Sequence, residues 1–150
     1  MMIYIGSDHA GFALKEEVKK FLSDKGLEFE DLGADSEESV DYPDLGYKVA
    51  KKVAETDERG ILICGSGIGM SIVANKVKDI RAALCADERF AELSRKHNDA
   101  NVLVLAGRLT EVNKALQIVD VWLNTEYEGK DDAGCRHNRR LEKIEKYESD

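Results

Sequence analysis

An α/β fold, with one parallel β-sheet covered by helices on both faces, is what the sequence predicts, and three observations carry it. Short apolar, β-rich runs recur at 3–5, 27–32, 61–64, 82–85 and 102–106. Each is followed by a stretch whose apolar residues repeat with helical spacing, and no low-complexity linker intervenes before about residue 126. Parallel strands need crossover connections, and those are nearly always right-handed, so this alternation implies a doubly wound, three-layer arrangement. The common order for five such strands is 2-1-3-4-5, with ligands bound beyond the carboxyl ends of strands one and three, where the order reverses.

The elements follow in turn. After Ile3-Tyr4-Ile5, residues Leu14, Val18, Phe21 and Leu22 fall on one helical stripe, and Gly26 is a suitable terminator. After the second strand comes Val40-Asp41-Tyr42-Pro43-Asp44, with proline where a first helical turn tolerates it, and then the stripe Leu45, Val49, Val53. The third strand ends in Cys64 and a glycine-rich loop that leads into a helix. The helix after the fourth strand ends at His97-Asn98-Asp99, where a protonated imidazole suits the helix dipole. Beyond the fifth strand, Thr110 is placed to cap a helix that buries Leu116, Val119, Trp122 and Leu123 and reaches about Asn124. A helical tail, 126–150, completes a single domain, 1–150.

Composition excludes several classes of function. Thirty Asp and Glu against 22 Lys and Arg give a net charge of −8, which disfavours sequence-independent nucleic-acid binding and requires any phosphate site to be local. The opening Met1-Met2-Ile3-Tyr4-Ile5 has no basic region and no long apolar run follows, so a cytoplasmic protein with no membrane association is expected. Three widely spaced cysteines, Cys64, Cys85 and Cys135, fit neither a disulfide framework nor a C-x-x-C zinc pattern.

The two loops that topology singles out are Gly6-Ser7-Asp8-His9-Ala10-Gly11 and Cys64-Gly65-Ser66-Gly67-Ile68-Gly69-Met70-Ser71. Closely spaced glycines before a helix let backbone N–H groups face an anion or a developing oxyanion, and they equally suit a tight turn. The pattern is not a P-loop, because no Gly-Lys-Ser/Thr follows. It is not G-x-G-x-x-G, because Met70 stands at the third glycine. Cys64 sits at the mouth of this loop, where N–H dipoles favour a thiolate. Asp8 and His9 are open between orienting substrate hydroxyls and capping a helix. Tyr42 and His97 are likewise open between local structure and a site. Arg136 and Arg140, within Arg136-His137-Asn138-Arg139-Arg140, lie four apart and on a helix would form a fork for one phosphate.

Taken together, Ser7-Asp8-His9-Ala10-Gly11, Asp41-Tyr42-Pro43-Asp44, Ile63-Cys64-Gly65-Ser66-Gly67-Ile68-Gly69, Ser94-Arg95-Lys96-His97-Asn98-Asp99, Gly107-Arg108 and Arg136-His137-Asn138-Arg139-Arg140 resemble ribose-5-phosphate isomerase type B. That family includes galactose-6-phosphate isomerase subunits, and the resemblance spans residues 2 to about 147. It implies a Rossmann-like fold and a metal-free, cofactor-free aldose-ketose isomerase of the pentose phosphate pathway, interconverting ribose 5-phosphate and ribulose 5-phosphate through a cis-enediolate. It implies a homodimer with shared active sites, in some members paired into a tetramer, whose 126–150 tail reaches the partner subunit.

The resemblance also assigns roles. Cys64 would move the proton between C2 and C1; a branch of the family uses a Glu where this chain has Met70. Gly65, Ser66, Gly67, Ile68 and Gly69 would hold the enediolate oxygen. His97 would open the furanose ring with Asp8 as partner, Asn98 and Tyr42 would hold sugar oxygens, and His9, Arg108, Arg136 and Arg140 the phosphate. One departure is a longer 129–135 segment before Arg136, which bears on where Arg136 and Arg140 lie. Alternatives are an isomerase of a six-carbon aldose phosphate (allose 6-phosphate or galactose 6-phosphate), a dinucleotide-binding module using Asp87, and a catalytically silent phosphosugar sensor.

Overall fold

The computed structural model describes residues 1–148. Strand and helix alternate: β1 (Met2–Ser7), α1 (Phe12–Asp24), β2 (Glu28–Asp31), α2 (Tyr42–Thr56), β3 (Arg59–Cys64), α3 (Ile68–Ala74), β4 (Ala82–Leu84), α4 (Glu88–Asn98), β5 (Val102–Ala106) and α5 (Val112–Asn124). A 3₁₀ turn (Glu128–Lys130) and α6 (Cys135–Glu148) follow. All strand pairs are parallel, and the α/β, doubly wound class is as expected.

The order is β2-β1-β3-β5-β4, which corrects the expected 2-1-3-4-5 at its last two places. A strand inside a parallel sheet is covered on both faces and reads as an unbroken apolar run. β5 meets that condition, being buried at every position, whereas β4 has three residues, all half-buried, and takes the edge. With right-handed crossovers, the step back from β4 to β5 carries α4 to the face that holds α1 and α5 and leaves α2 and α3 on the other. The two cores divide in this way. Ile61, Ile63, Leu103 and Leu105 point toward α1, α4 and α5, while Leu62, Cys64, Val102 and Val104 point toward α2 and α3.

Helix ends are set locally. Gly26, at φ 69°, ends α1 as the spacing predicts. Thr110 does not cap α5: its N–H is bonded to the Ala106 carbonyl (3.0 Å) in the turn after β5, and Glu111 caps instead by accepting from the Asn113 N–H (3.3 Å). Lys15, on the same stripe as Val18 and Leu22, is fully buried. It pairs with Asp31 at 2.8 Å and donates to the Ala34 carbonyl, and Lys19 reaches the other Asp31 oxygen at 2.8 Å. This clamp fixes α1 to the segment after β2, which bonds back to the end of β1 through Ser7 N–H to Gly33 O and Ala34 N–H to Ser7 O, both 2.7 Å. Among the described residues no helix is long and apolar enough to cross a membrane.

Candidate active site

β1 and β3 are neighbours, with Ser7 level with Ile63, so the loops that leave them emerge side by side. They are stitched together. The Asp8 N–H donates to the Ile63 carbonyl (3.2 Å), Gly107 N–H to the Cys64 carbonyl (2.7 Å), and Arg108 N–H to the Gly65 carbonyl (3.0 Å). Asp8, Tyr42, Cys64, Gly65, Ser66, Ile68, Gly69 and Arg108, with Ile72 and Leu109, line one open cleft of about 570 Å³. That lies within the ~300–1,000 Å³ typical of small-molecule sites. A larger groove between α6 and the 75–83 segment offers neither thiol nor imidazole.

Each lining residue has a local cause. Cys64 ends β3, its backbone held by β5, with only 5% of its surface exposed. Gly67, buried at φ 76°, makes the turn into α3 and lies beneath the cleft wall. Gly69 has no side chain because the Tyr42 ring rests on it: a Cβ there would stand 2.5 Å from the ring Cζ. Tyr42 is the first residue of α2, followed by Pro43, so the motif is a helix entry, and Tyr42 also lines the cleft. Buried Asp8 accepts the Gly11 N–H at 3.0 Å, shaping the entry to α1, and also faces the cleft. Arg108 is exposed and passes over Gly65. His9 is not on the lining; its Nδ1 accepts the Val40 N–H at 3.3 Å.

His97, Asn98, Arg136 and Arg140 form a second group elsewhere. Residues 99–101 lead directly into β5, whose start is level with Gly60, while Cys64 is level with Ala106. Four strand steps, about 13 Å at ~3.3 Å each, therefore separate the α4 terminus from Cys64 along the sheet. That terminus is firmly held. Arg95, 5% exposed, donates to the Asp99 carboxylate (2.9 Å) and the Ala100 carbonyl (2.7 Å), and Arg81 donates to the Asn98 and Asp99 carbonyls at 3.0 Å. The guanidiniums of Arg59 and Arg95 both lie over the Trp122 ring, 5.4 and 5.8 Å from its centroid.

The 129–135 segment turns the chain so that α6 starts beside α4. The His97 ring stacks on His137 with centroids 4.5 Å apart and planes 14° apart. Arg136 and Arg140 are exposed one helical turn apart, as their spacing predicts. Ligand atoms of His97, Glu128 and His137 lie within 4.8 Å of one another. The geometry does not suit a metal ion, because nearly parallel stacked imidazoles have in-plane lone pairs that do not converge. His137 was not among the site residues expected from the sequence. Its position within a run of cations gave no sign that it alone would be buried.

The chain matches the Ribose/Galactose Isomerase family over residues 3–144. Ribose-5-phosphate isomerase B of Escherichia coli (strain K12) is 46% identical over 143 residues, covering 95% of this chain and 93% of that one. The chain belongs to the ribose/galactose isomerase family. Among solved structures of relatives, ribose-5-phosphate isomerase B of Clostridium thermocellum superposes with a TM-score of 0.94 at 49% identity, covering 99% of this chain and 98% of that one. The Mycoplasma genitalium enzyme, solved with bound ribulose-5-phosphate, gives 0.92 at 41% identity, with 99% and 97% covered. Family membership agrees with two local facts that count against dinucleotide binding. Asp87 is spent capping α4 through the Phe90 N–H (2.9 Å), and Met70, at the position of the third glycine, is fully buried.

Proposed function

We propose that this protein is an aldose-ketose isomerase that interconverts ribose 5-phosphate and ribulose 5-phosphate, with Cys64 as the base. The observation that carries the reading is a thiol at the end of β3 in the same cleft as Asp8, Tyr42, the glycine loop and Arg108. In this scheme the Cys64 thiolate takes the C2 proton of the open-chain aldehyde. The C2–H electrons form the C1=C2 bond, and the carbonyl electrons move to O1, which the loop N–H groups stabilise. The thiol then returns the proton to C1 while the O2 proton passes to O1, leaving a ketone at C2. C1 is reduced as C2 is oxidised, so the step calls for no external electron carrier. His97, with Asp8, opens the furanose ring, Asn98 and Tyr42 hold sugar oxygens, and His9, Arg108, Arg136 and Arg140 grip the phosphate. Ketose formation from ribose 5-phosphate by the purified protein is the test. A panel including allose 6-phosphate and galactose 6-phosphate fixes preference, and no turnover of any would overturn the reading.

The separation of the two residue groups supports a homodimer in which a second subunit brings His97, Asn98 and the tail arginines to the Cys64 cleft. Ile68, Ile72 and Leu109 on the cleft rim are 56%, 58% and 76% exposed, an apolar border suited to such a contact. Cys64→Ala and His97→Ala homodimers, each nearly inactive, are then expected to regain activity when their subunits exchange, because one site of the heterodimer has both groups intact. Exchange without recovery would place both residues in one chain's site.

The phosphate grip makes a separate prediction. Arg108→Ala and Arg136→Ala remove exposed side chains, so melting temperature is expected to hold. Affinity for a sugar phosphate is expected to fall roughly 10- to 150-fold for each, the effect of ~1.5–3 kcal/mol per charge-assisted contact. Titration calorimetry checks this, and unchanged affinity in both variants rejects the assignment.

A further inference from the structure

The phosphate grip uses Arg136 and Arg140 and leaves His137 unexplained. His137 is 4% exposed while Cys135, Arg136, Arg139 and Arg140 around it are exposed. Its Nε2 is buried with no hydrogen-bond partner among the described residues, an unfavourable placement that a packing role would account for. What it packs against is the ring of His97. Its own position is fixed from the next residue: Tyr127 Oη donates to Asn138 Oδ1 (2.7 Å), and Asn138 Nδ2 donates to the Gly129 carbonyl (2.6 Å). Burial, with the charges of His97, Arg136 and Arg140, holds the His137 pKa below the ordinary histidine value, which favours the neutral ring in this stack. The His97 side chain, by contrast, is 39% exposed, and its Nε2 lies 4.0 Å from the Glu128 carboxylate.

We propose that His137 is a positioning residue for ring opening: it fixes the plane of His97, so that the edge of that imidazole meets the ring oxygen of a cyclic aldose phosphate. The inference rests on the reading of His97 as the group that opens the ring. A helix-terminal histidine without such a surface samples several side-chain rotamers, and small misplacements of a proton-transfer group carry large rate penalties.

The test compares two probes. Ribose 5-phosphate is mainly cyclic and needs opening, whereas an acyclic phosphorylated hydroxamate mimics the enediolate and does not. His137→Ala is expected to lower kcat for ribose 5-phosphate by about tenfold to a hundredfold, with KM and the hydroxamate Kd changed by less than about threefold. His137→Phe restores a flat ring and is expected to recover kcat to within about threefold of wild type. Wild-type turnover in His137→Ala, a phenylalanine variant as impaired as the alanine one, or loss of hydroxamate affinity alongside kcat would each overturn the proposal. His97→Ala separates the two ideas. If it keeps turnover, the ring-opening role of His97 fails, and the proposal with it. If it loses turnover while His137→Ala does not, the proposal alone fails.

Discussion

Replacing Cys64 with alanine is expected to lower kcat for ribose 5-phosphate by ~10²–10⁴ while leaving folding and sugar-phosphate affinity nearly unchanged. The substitution removes one sulfur atom from a side chain that lines an open cleft, so the cavity it leaves opens to solvent. The proposed phosphate ligands and the glycine loop remain in place, so binding survives while proton transfer has no base. Steady-state kinetics together with a calorimetric Kd separate the two effects. A variant that keeps more than about a tenth of wild-type turnover excludes Cys64 as the base. The other thiols can be told apart from it. Cys85 is 1% exposed, and burial pushes its thiol up to about 11, so it stays protonated and unreactive at neutral pH. Cys135 is exposed and adjoins Arg136 of the proposed phosphate grip, so thiol alkylation is run on a Cys135→Ser background. Protection by a bound sugar phosphate identifies the Cys64 adduct.

The second large effect concerns folding. Asp31→Ala is expected to destabilise the protein by ~3–5 kcal/mol at neutral pH, because it strips the fully buried Lys15 ammonium of its counter-charge and leaves it the Ala34 carbonyl and the face of the Phe12 ring. Burial pushes the Asp31 carboxyl up, but hydrogen bonds from Lys15, Lys19 and the Gly33 N–H outweigh it and hold the group below its ordinary 3.8. A carboxyl whose folded pKa lies below its unfolded one adds stability above the unfolded pKa, and that stability is lost as pH falls through the folded value. The gap between wild type and variant in urea is therefore widest near neutrality and narrows below about pH 4. Protein concentration is held fixed, since any subunit association also contributes. A gap under about 1 kcal/mol, or one independent of pH, would show that the clamp is not needed.

The sequence showed the existence and type of each element through periodicity, and the cleft through the rule that places ligands at the carboxyl ends of strands. The order of the last two strands is also written in the sequence: the uninterrupted Val102-Leu103-Val104-Leu105-Ala106 suits an interior strand and the short Ala82-Ala83-Leu84 an edge. Lys15 carried a signal as well, a cation in register with Val18 and Leu22 on an apolar stripe. Its partner Asp31 did not, because that pairing exists only once β2 lies beside α1. His137 is the clearest case of tertiary information. Nothing in Arg136-His137-Asn138-Arg139-Arg140 distinguishes the buried imidazole from its solvated neighbours until α6 meets the end of α4.

The exchange of β4 and β5 also decides which strands end the sheet. On one side is β2, where Glu28 and Glu30 are exposed and Asp31 is half-buried. On the other is β4, only three residues long. An acidic rim repels a second copy of itself, and a three-residue rim offers too few unpaired backbone groups to template another strand. Neither edge invites continuation of the sheet into a neighbouring molecule, so assembly of this chain is directed away from strand-to-strand pairing and toward its helices and loops. The same feature protects against edge-driven aggregation while the chain is crowded with its own copies.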